Sequence, residues 1–120
     1  MPQEQGAHDP SGPPPPSVEA AVVRLSGEMD ISRVDEVRAL LREAMTRTGG
    51  RADVIVDLSG LTFCDSAGLN LLLRARQQVR ESGRMLRLAA PSAQMLRLLE
   101  ITGTHALFLI DTAPPGSGGP

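Results

Sequence analysis

The sequence has no lysine, no tryptophan and no tyrosine, and holds only two phenylalanines and one cysteine in 120 residues. Each absence excludes something. Without an amine side chain there is no Schiff base, no P-loop lysine and no lysine of a phosphoacceptor receiver domain. With Phe63 and Phe108 as the whole aromatic complement, base-stacking platforms and aromatic sugar-binding faces are not expected. The lone Cys64 forms no internal disulfide, and no Cys/His cluster has metal-ligand spacing, so no metal site and no cofactor are expected. Absent too is any run near the ~18 apolar residues of a membrane span, or a basic N-terminal region leading into an apolar one. A reducing, cytoplasmic setting follows as the expectation, with no membrane span.

Charge of one sign is also scarce. Twelve bases, all arginine, face 14 acids for a net charge of -2, which argues against direct nucleic-acid binding, since that calls for a basic stripe. Proline marks the boundaries. Nine of the ten prolines lie before Val18 or after Asp111. Residues 1–17, with Pro13 to Pro16, lack apolar residues to bury and read as a disordered Pro-rich tail; residues 112–120 read as a second, Pro/Gly-rich one. Glu4 and Asp9 account for the net charge, so the folded block 18–111 carries 12 acids and 12 bases.

Within that block strand and helix alternate. Val18 to Ser26, with the β-branched core Ala21-Val22-Val23-Arg24-Leu25, predicts a strand ended by Gly27. Ser32 as N-cap, with Asp35 three residues on, opens a helix whose buried face is Val34, Val37, Leu41, Ala44 and Met45, stopped by Gly49-Gly50. Val54-Ile55-Val56 is the uninterrupted apolar run of a central parallel strand. A loop from Ser59 to Asp65 leads into a helix over 66–82, which buries Leu69, Leu72, Leu73 and Val79, lays the Arg76 stem along the same side and ends at Gly83. Met85 to Ala90 is a third strand. Pro91 or Ser92 opens a helix carrying Met95, Leu96, Leu98 and Leu99, and Ala106 to Ile110 is the last strand. Right-handed crossovers then give an α/β sandwich with a mainly parallel four- to five-stranded sheet and helices packed against it.

Functional groups in such sheets gather at the carboxyl ends of the strands. Two loops are expected there, Gly27 to Asp30 and Ser59 to Ser66. In the second, Cys64-Asp65-Ser66-Ala67-Gly68 places a serine where loop becomes helix. Three readings stand. Ser66 or Asp65 is simply the N-cap, worth ~1 kcal/mol. Alternatively the spacing is a nucleophile elbow one glycine short of G-x-S-x-G, for which the available bases are only His8 in the tail and His105 before the last strand. Or Ser66 is a phosphoacceptor, where a phosphate would bring about -1.5 to -2 charges to a helix N-terminus that tolerates it, beside the repelling Asp65. Asp57 superficially resembles a receiver phosphoacceptor, but the missing lysine leaves it as a loop-capping acid. Cys64 reads as a half-buried packing residue with no base nearby to activate it.

Leu25-Ser26-Gly27-Glu28-Met29-Asp30, the run from Val54 through Asp57-Leu58-Ser59-Gly60-Leu61-Thr62-Phe63-Cys64-Asp65-Ser66-Ala67-Gly68-Leu69, Gly83, and Leu98 to Gly103 together resemble the STAS domain of bacterial anti-sigma factor antagonists. The resemblance covers residues 18–111 in order. It implies a non-enzymatic phosphoprotein without catalytic residues that acts in transcription regulation by partner switching. Unmodified, such a protein binds an anti-sigma factor with serine kinase activity and frees a sigma factor; phosphorylation of the serine in D-S-x-G abolishes binding, and a phosphatase restores it. Carried over, Ser66 is the phosphoacceptor, and Gly27, Glu28, Asp30, Asp65, Ser66, Ala67 and Gly68 form the partner-binding surface. The alternative is a STAS adaptor module of a lipid-transport or stressosome-type complex. Ala67 stands where the family usually has a second serine. The Pro-rich start and the Pro114-Pro115 end depart from the extra edge strand and the further helix common in the family.

Overall fold

Among the described residues four strands pair side by side, all parallel, in the order β1 (Ala21–Met29), β2 (Val54–Cys64), β3 (Leu86–Ala89) and β4 (Leu109–Asp111). The computed structural model describes residues 20–47 and 52–116. The strands are joined by α1 (Val34–Thr46), α2 (Ser66–Glu81) and α3 (Ala93–Ile101), with short 3-10 turns at Ile31–Arg33 and His105–Leu107. This is the expected α/β arrangement. Because every strand runs the same way, the starts of α1 and α2 gather with the ends of β1 and β2.

Alternation along the strands builds the core. Ala21, Val23 and Leu25 of β1, Val54, Val56 and Leu58 of β2, and Leu86 and Leu88 of β3 are all buried, and the register aligns Val23 with Val56 and Val56 with Leu88. Against these rows pack Val37, Leu41 and Ala44 from α1 and Leu69, Leu72, Ala75 and Val79 from α2. The opposite row is less covered: Val22, Ile55 and Arg87 are only half-buried. β2 is therefore one of two interior strands, with one fully covered face and one partly open.

Several boundaries move. β1 does not end before Gly27 but runs to Met29, and β2 extends through the supposed loop at 59–64; register shifts between Arg24 and Ser26 and between Gly27 and Glu28 let the two continue as a pair. Ser32 is not the cap of α1. Asp30 accepts from the Ser32 amide at 3.0 Å and the Ser32 hydroxyl at 2.6 Å, capping a 3-10 turn that leads into α1. Ser92 does cap α3, accepting from the Met95 amide at 3.1 Å. The last strand is shorter than expected, since His105–Leu107 forms a 3-10 turn and pairing starts at Leu109. After Asp111 the described residues form turns and no helix. The tail at 1–17, the expected start of β1 at Val18, the Gly49-Gly50 stop and the last residues 117–120 lie outside the described residues.

Candidate functional site

The carboxyl end of β2 is held from three sides. Gln94 of α3 bonds both backbone groups of Cys64, accepting from its amide at 3.0 Å and donating to its carbonyl at 2.8 Å. Across the sheet, the Asp65 amide donates to the Met29 carbonyl at 3.2 Å, and the Thr62 hydroxyl donates to the Gly27 carbonyl at 3.0 Å. Gly68 completes the closure. A Cβ there would stand 2.8 Å from Met29 Cγ, 2.9 Å from the Met29 carbonyl oxygen and 3.0 Å from Cys64 Sγ, so α2 can start this close to β1 only over a residue without a side chain.

Asp65, not Ser66, caps α2. Its backbone is extended, and its Oδ1 accepts from the Gly68 amide at 3.0 Å, the side-chain bond expected of an N-cap residue. Ser66 is the first helical residue. It is exposed, and its hydroxyl bonds to no described residue. The amides of Ser66 and Ala67 have no acceptor within the helix, so an oxyanion on the Ser66 oxygen would meet free donors and the positive end of the helix dipole. The cap reading thus transfers wholly to Asp65.

Beside this serine runs the segment Gly27 to Asp30, with Glu28 paired to Phe63 and Met29 to Cys64 in the register. Arg33 fixes it. Its Nη1 donates to the carbonyls of Ser26 and Glu28, while its other nitrogens bond Glu36 at 3.0 and 3.1 Å, and the Glu36 carboxylate raises the guanidinium pKa further. The Ser32 hydroxyl holds the Asp30 carboxyl below its ordinary value. With Arg33 engaged, Glu28, Asp30 and Asp65 leave the surface around Ser66 acidic. Two exposed apolar side chains lie on the segments that meet there, Ile31 next to Asp30 at 75% and Phe63 next to Cys64 at 41% exposure. Residue-by-residue reading missed Ile31, Phe63, Arg33 and Gln94. Period two gave no clean signal, since Leu61 to Cys64 read buried, exposed, exposed, buried.

The remaining candidates fall elsewhere. Asp57 is buried within β2 and caps no loop, since the strand continues past it; its Oδ1 accepts from the Ser59 amide at 3.0 Å and its other oxygen pairs with Arg24 at 3.3 Å. His105 precedes β4 at the amino end of the sheet, the end opposite Ser66, which removes the base that a nucleophile elbow needs. Cys64 is completely rather than half buried, and burial pushes its thiol up to about 12, with Asp65 adding to the rise. Among the described residues no three His, Cys, Asp or Glu side chains converge to hold a metal, and no helix is long and apolar enough to cross a membrane.

Comparison with known proteins gives the family. Residues 16–111 match the family model described as Mlab, STAS domain. The chain is 36% identical over 86 residues to an anti-sigma F factor antagonist of Lysinibacillus sphaericus, covering 71% of this chain and 72% of that one. The unphosphorylated anti-sigma factor antagonist SpoIIAA superposes with a TM-score of 0.63 at 26% identity, covering 76% of this chain and 78% of SpoIIAA. The phosphorylated form of this Bacillus cell fate determinant superposes at 0.59 and 27% identity, covering 79% and 86%.

Proposed function

Since the chain belongs to the STAS-domain family of anti-sigma factor antagonists, we propose that it is a cytoplasmic partner switch whose state is written on Ser66. Unphosphorylated, it binds an anti-sigma factor with serine kinase activity through the segments Gly27 to Asp30 and Asp65 to Gly68, with Ile31 and Phe63 as apolar anchors at the centre, and a sigma factor is released. The partner transfers the γ-phosphoryl group of ATP to the Ser66 oxygen, the hydroxyl proton leaves, and ADP is the other product. A phosphatase hydrolyses the ester and returns the serine.

One observation carries this reading: the cap bond of α2 is made by Asp65, so the exposed Ser66 hydroxyl is free of structural duty. Phosphate can then enter without unwinding the helix, stabilised by the two free amides. What changes is the surface. About -1.5 to -2 charges join Asp65, Glu28 and Asp30 around the two apolar anchors, and a contact formed on a mildly acidic surface is lost on a strongly acidic one.

Incubation with the cognate kinase and ATP, followed by digestion and mass spectrometry, should place one phosphate on Ser66; modification elsewhere sinks the proposal. Ser66→Ala should bind the anti-sigma factor and resist switching, and Ser66→Asp should bind weakly, so equal affinities would contradict the electrostatic account. The adaptor alternative shares the fold, and copurification separates the two readings: a small kinase on one side, a transporter complex or large particle on the other.

A further inference from the structure

The amino end of the sheet carries a second concavity, roughly 21 Å along α2 from Ser66 at the rise of an α-helix. A half-open cavity of about 280 Å³ lies between the last turns of α2, the start of β3 and the turn entering β4. Phe108 is buried within its lining, and Met85, Leu107 and Leu109 stand around it at 45%, 45% and 37% exposure. These are three of the seven large apolar side chains exposed among the described residues, and they are the three that share one cavity lining.

Arg76 and Arg80, one turn apart on α2, form the rim. Their guanidiniums make no ion pair or hydrogen bond with any described residue, unlike those of Arg24, Arg33, Arg38, Arg84 and Arg87. Asp53, just before β2, is committed to the Met85 amide at 2.9 Å. An apolar hollow with two unsatisfied planar cations at its mouth is complementary to one kind of molecule. The tail must be apolar, the head must be a planar or tetrahedral oxyanion that the two forks can grip, and the volume, near the lower end for small-ligand sites, admits a short chain.

We infer that this cavity is a binding site for an amphiphilic anion, an alkyl chain bearing a carboxylate or phosphate, held by Arg76 and Arg80 over Met85, Leu107, Phe108 and Leu109. The site lies at the opposite end of α2 from the switch serine, so its ligand and the kinase partner can be bound together.

The test is titration of the isotopically labelled full chain with octanoate, followed by amide NMR. Shifts should concentrate at Arg76, Arg80, Met85 and Leu107 to Leu109. The double variant Arg76→Gln/Arg80→Gln should weaken binding by about tenfold or more, whereas Arg42→Gln/Arg74→Gln, with the same change in net charge, should leave it unaltered. Leu107→Ser should weaken octanoate with both arginines in place, and octylammonium should bind at least about tenfold more weakly than octanoate. Vesicles of phosphatidylcholine with phosphatidylglycerol identify the source: a response of the same residues to both probes assigns a membrane lipid, and a response to octanoate alone a free amphiphile. Silence towards octanoate and vesicles overturns the proposal, even if an acidic, apolar protein segment occupies the cavity instead. So does a response that survives Arg76→Gln/Arg80→Gln.

Discussion

At the carboxyl end of the strands the chain is packed so closely that Gly68 has no room for a Cβ against Met29 and Cys64, and the segments around the exposed serine carry acids together with the exposed apolar Ile31 and Phe63. At the amino end the packing opens into a cavity, the exposed side chains are apolar, and the charges beside them are unpaired arginines. Both ends belong to the same helix, α2, and to the same formally neutral domain. The contrast teaches how one small sheet can hold two surfaces of opposite character. Tight closure fixes the backbone around Ser66, whereas the amino end keeps an open cavity.

Alkaline titration should break the closed end with the largest swing. Cys64 has the widest gap between folded and unfolded titration, its thiol being raised from an ordinary value of 9.0 to about 12. The unfolded chain therefore loses this proton first. Stability should be fully present below pH 9 and fall as pH rises from there towards 12. The sequence makes the experiment clean, because with no lysine and no tyrosine no other side chain has its ordinary titration between histidine and arginine. Urea unfolding as a function of pH should show this slope in the parent and not in Cys64→Ala; a slope retained in that variant would place the alkaline sensitivity elsewhere.

Glycine replacements compare the two ends directly. Gly68→Ala must push Met29 or Cys64 aside and should cost about 1–3 kcal/mol. Gly83, at the amino end, has open space around it and a φ of +79°, so Gly83→Ala should cost roughly 1–2 kcal/mol from backbone strain alone. Asparagine separates the causes: it tolerates the left-handed region and should recover much of the loss at 83, yet none at 68. Denaturant midpoints decide it. The exposed apolar residues give a reciprocal pair. Phe63→Ala should reduce affinity for the anti-sigma partner by about 2 kcal/mol with little change in stability, and Leu107→Ser should leave that affinity intact while reducing octanoate binding.

The order of the elements is legible in the sequence, and the contrast between the two ends is not. Apolar runs were enough for the order of strands and helices, and the start of a helix at Asp65-Ser66 was visible in local composition. The errors share a cause. Ser59, Gly60 and Thr62 suit a loop by local preference, but β1 supplies a parallel partner and bulges absorb the mismatch, so pairing across the sheet overrides propensity. Ser32 and Asp30 are both fit to cap, and the choice depends on where the 3-10 turn begins, which sequence spacing does not resolve. The cavity at Arg76 and Arg80 was wholly illegible, since it joins residues from α2, β3 and the approach to β4 that no motif connects. Arg76 was expected to lay its stem along the helix, and it is half-buried; what the sequence could not tell is that its charge would find no acid.

The smallest expected effect discriminates most sharply. Asp65 holds the Gly68 amide, so Asp65→Ala should cost about 1 kcal/mol, and Asp65→Asn, which keeps a capping oxygen, should cost far less. Ser66 holds nothing, so Ser66→Ala should shift stability by no more than about 0.5 kcal/mol in either direction. Were the serine the cap, the two alanine variants would exchange magnitudes. Paired thermal unfolding of Asp65→Ala and Ser66→Ala therefore asks, without any partner or kinase, whether the hydroxyl is free to carry a signal. A loss near 1 kcal/mol at Ser66 would return it to a structural role and leave the charge-switch account without its basis, whereas a null effect there beside a clear loss at Asp65 means that Asp65 alone starts the helix and the Ser66 hydroxyl has no structural duty.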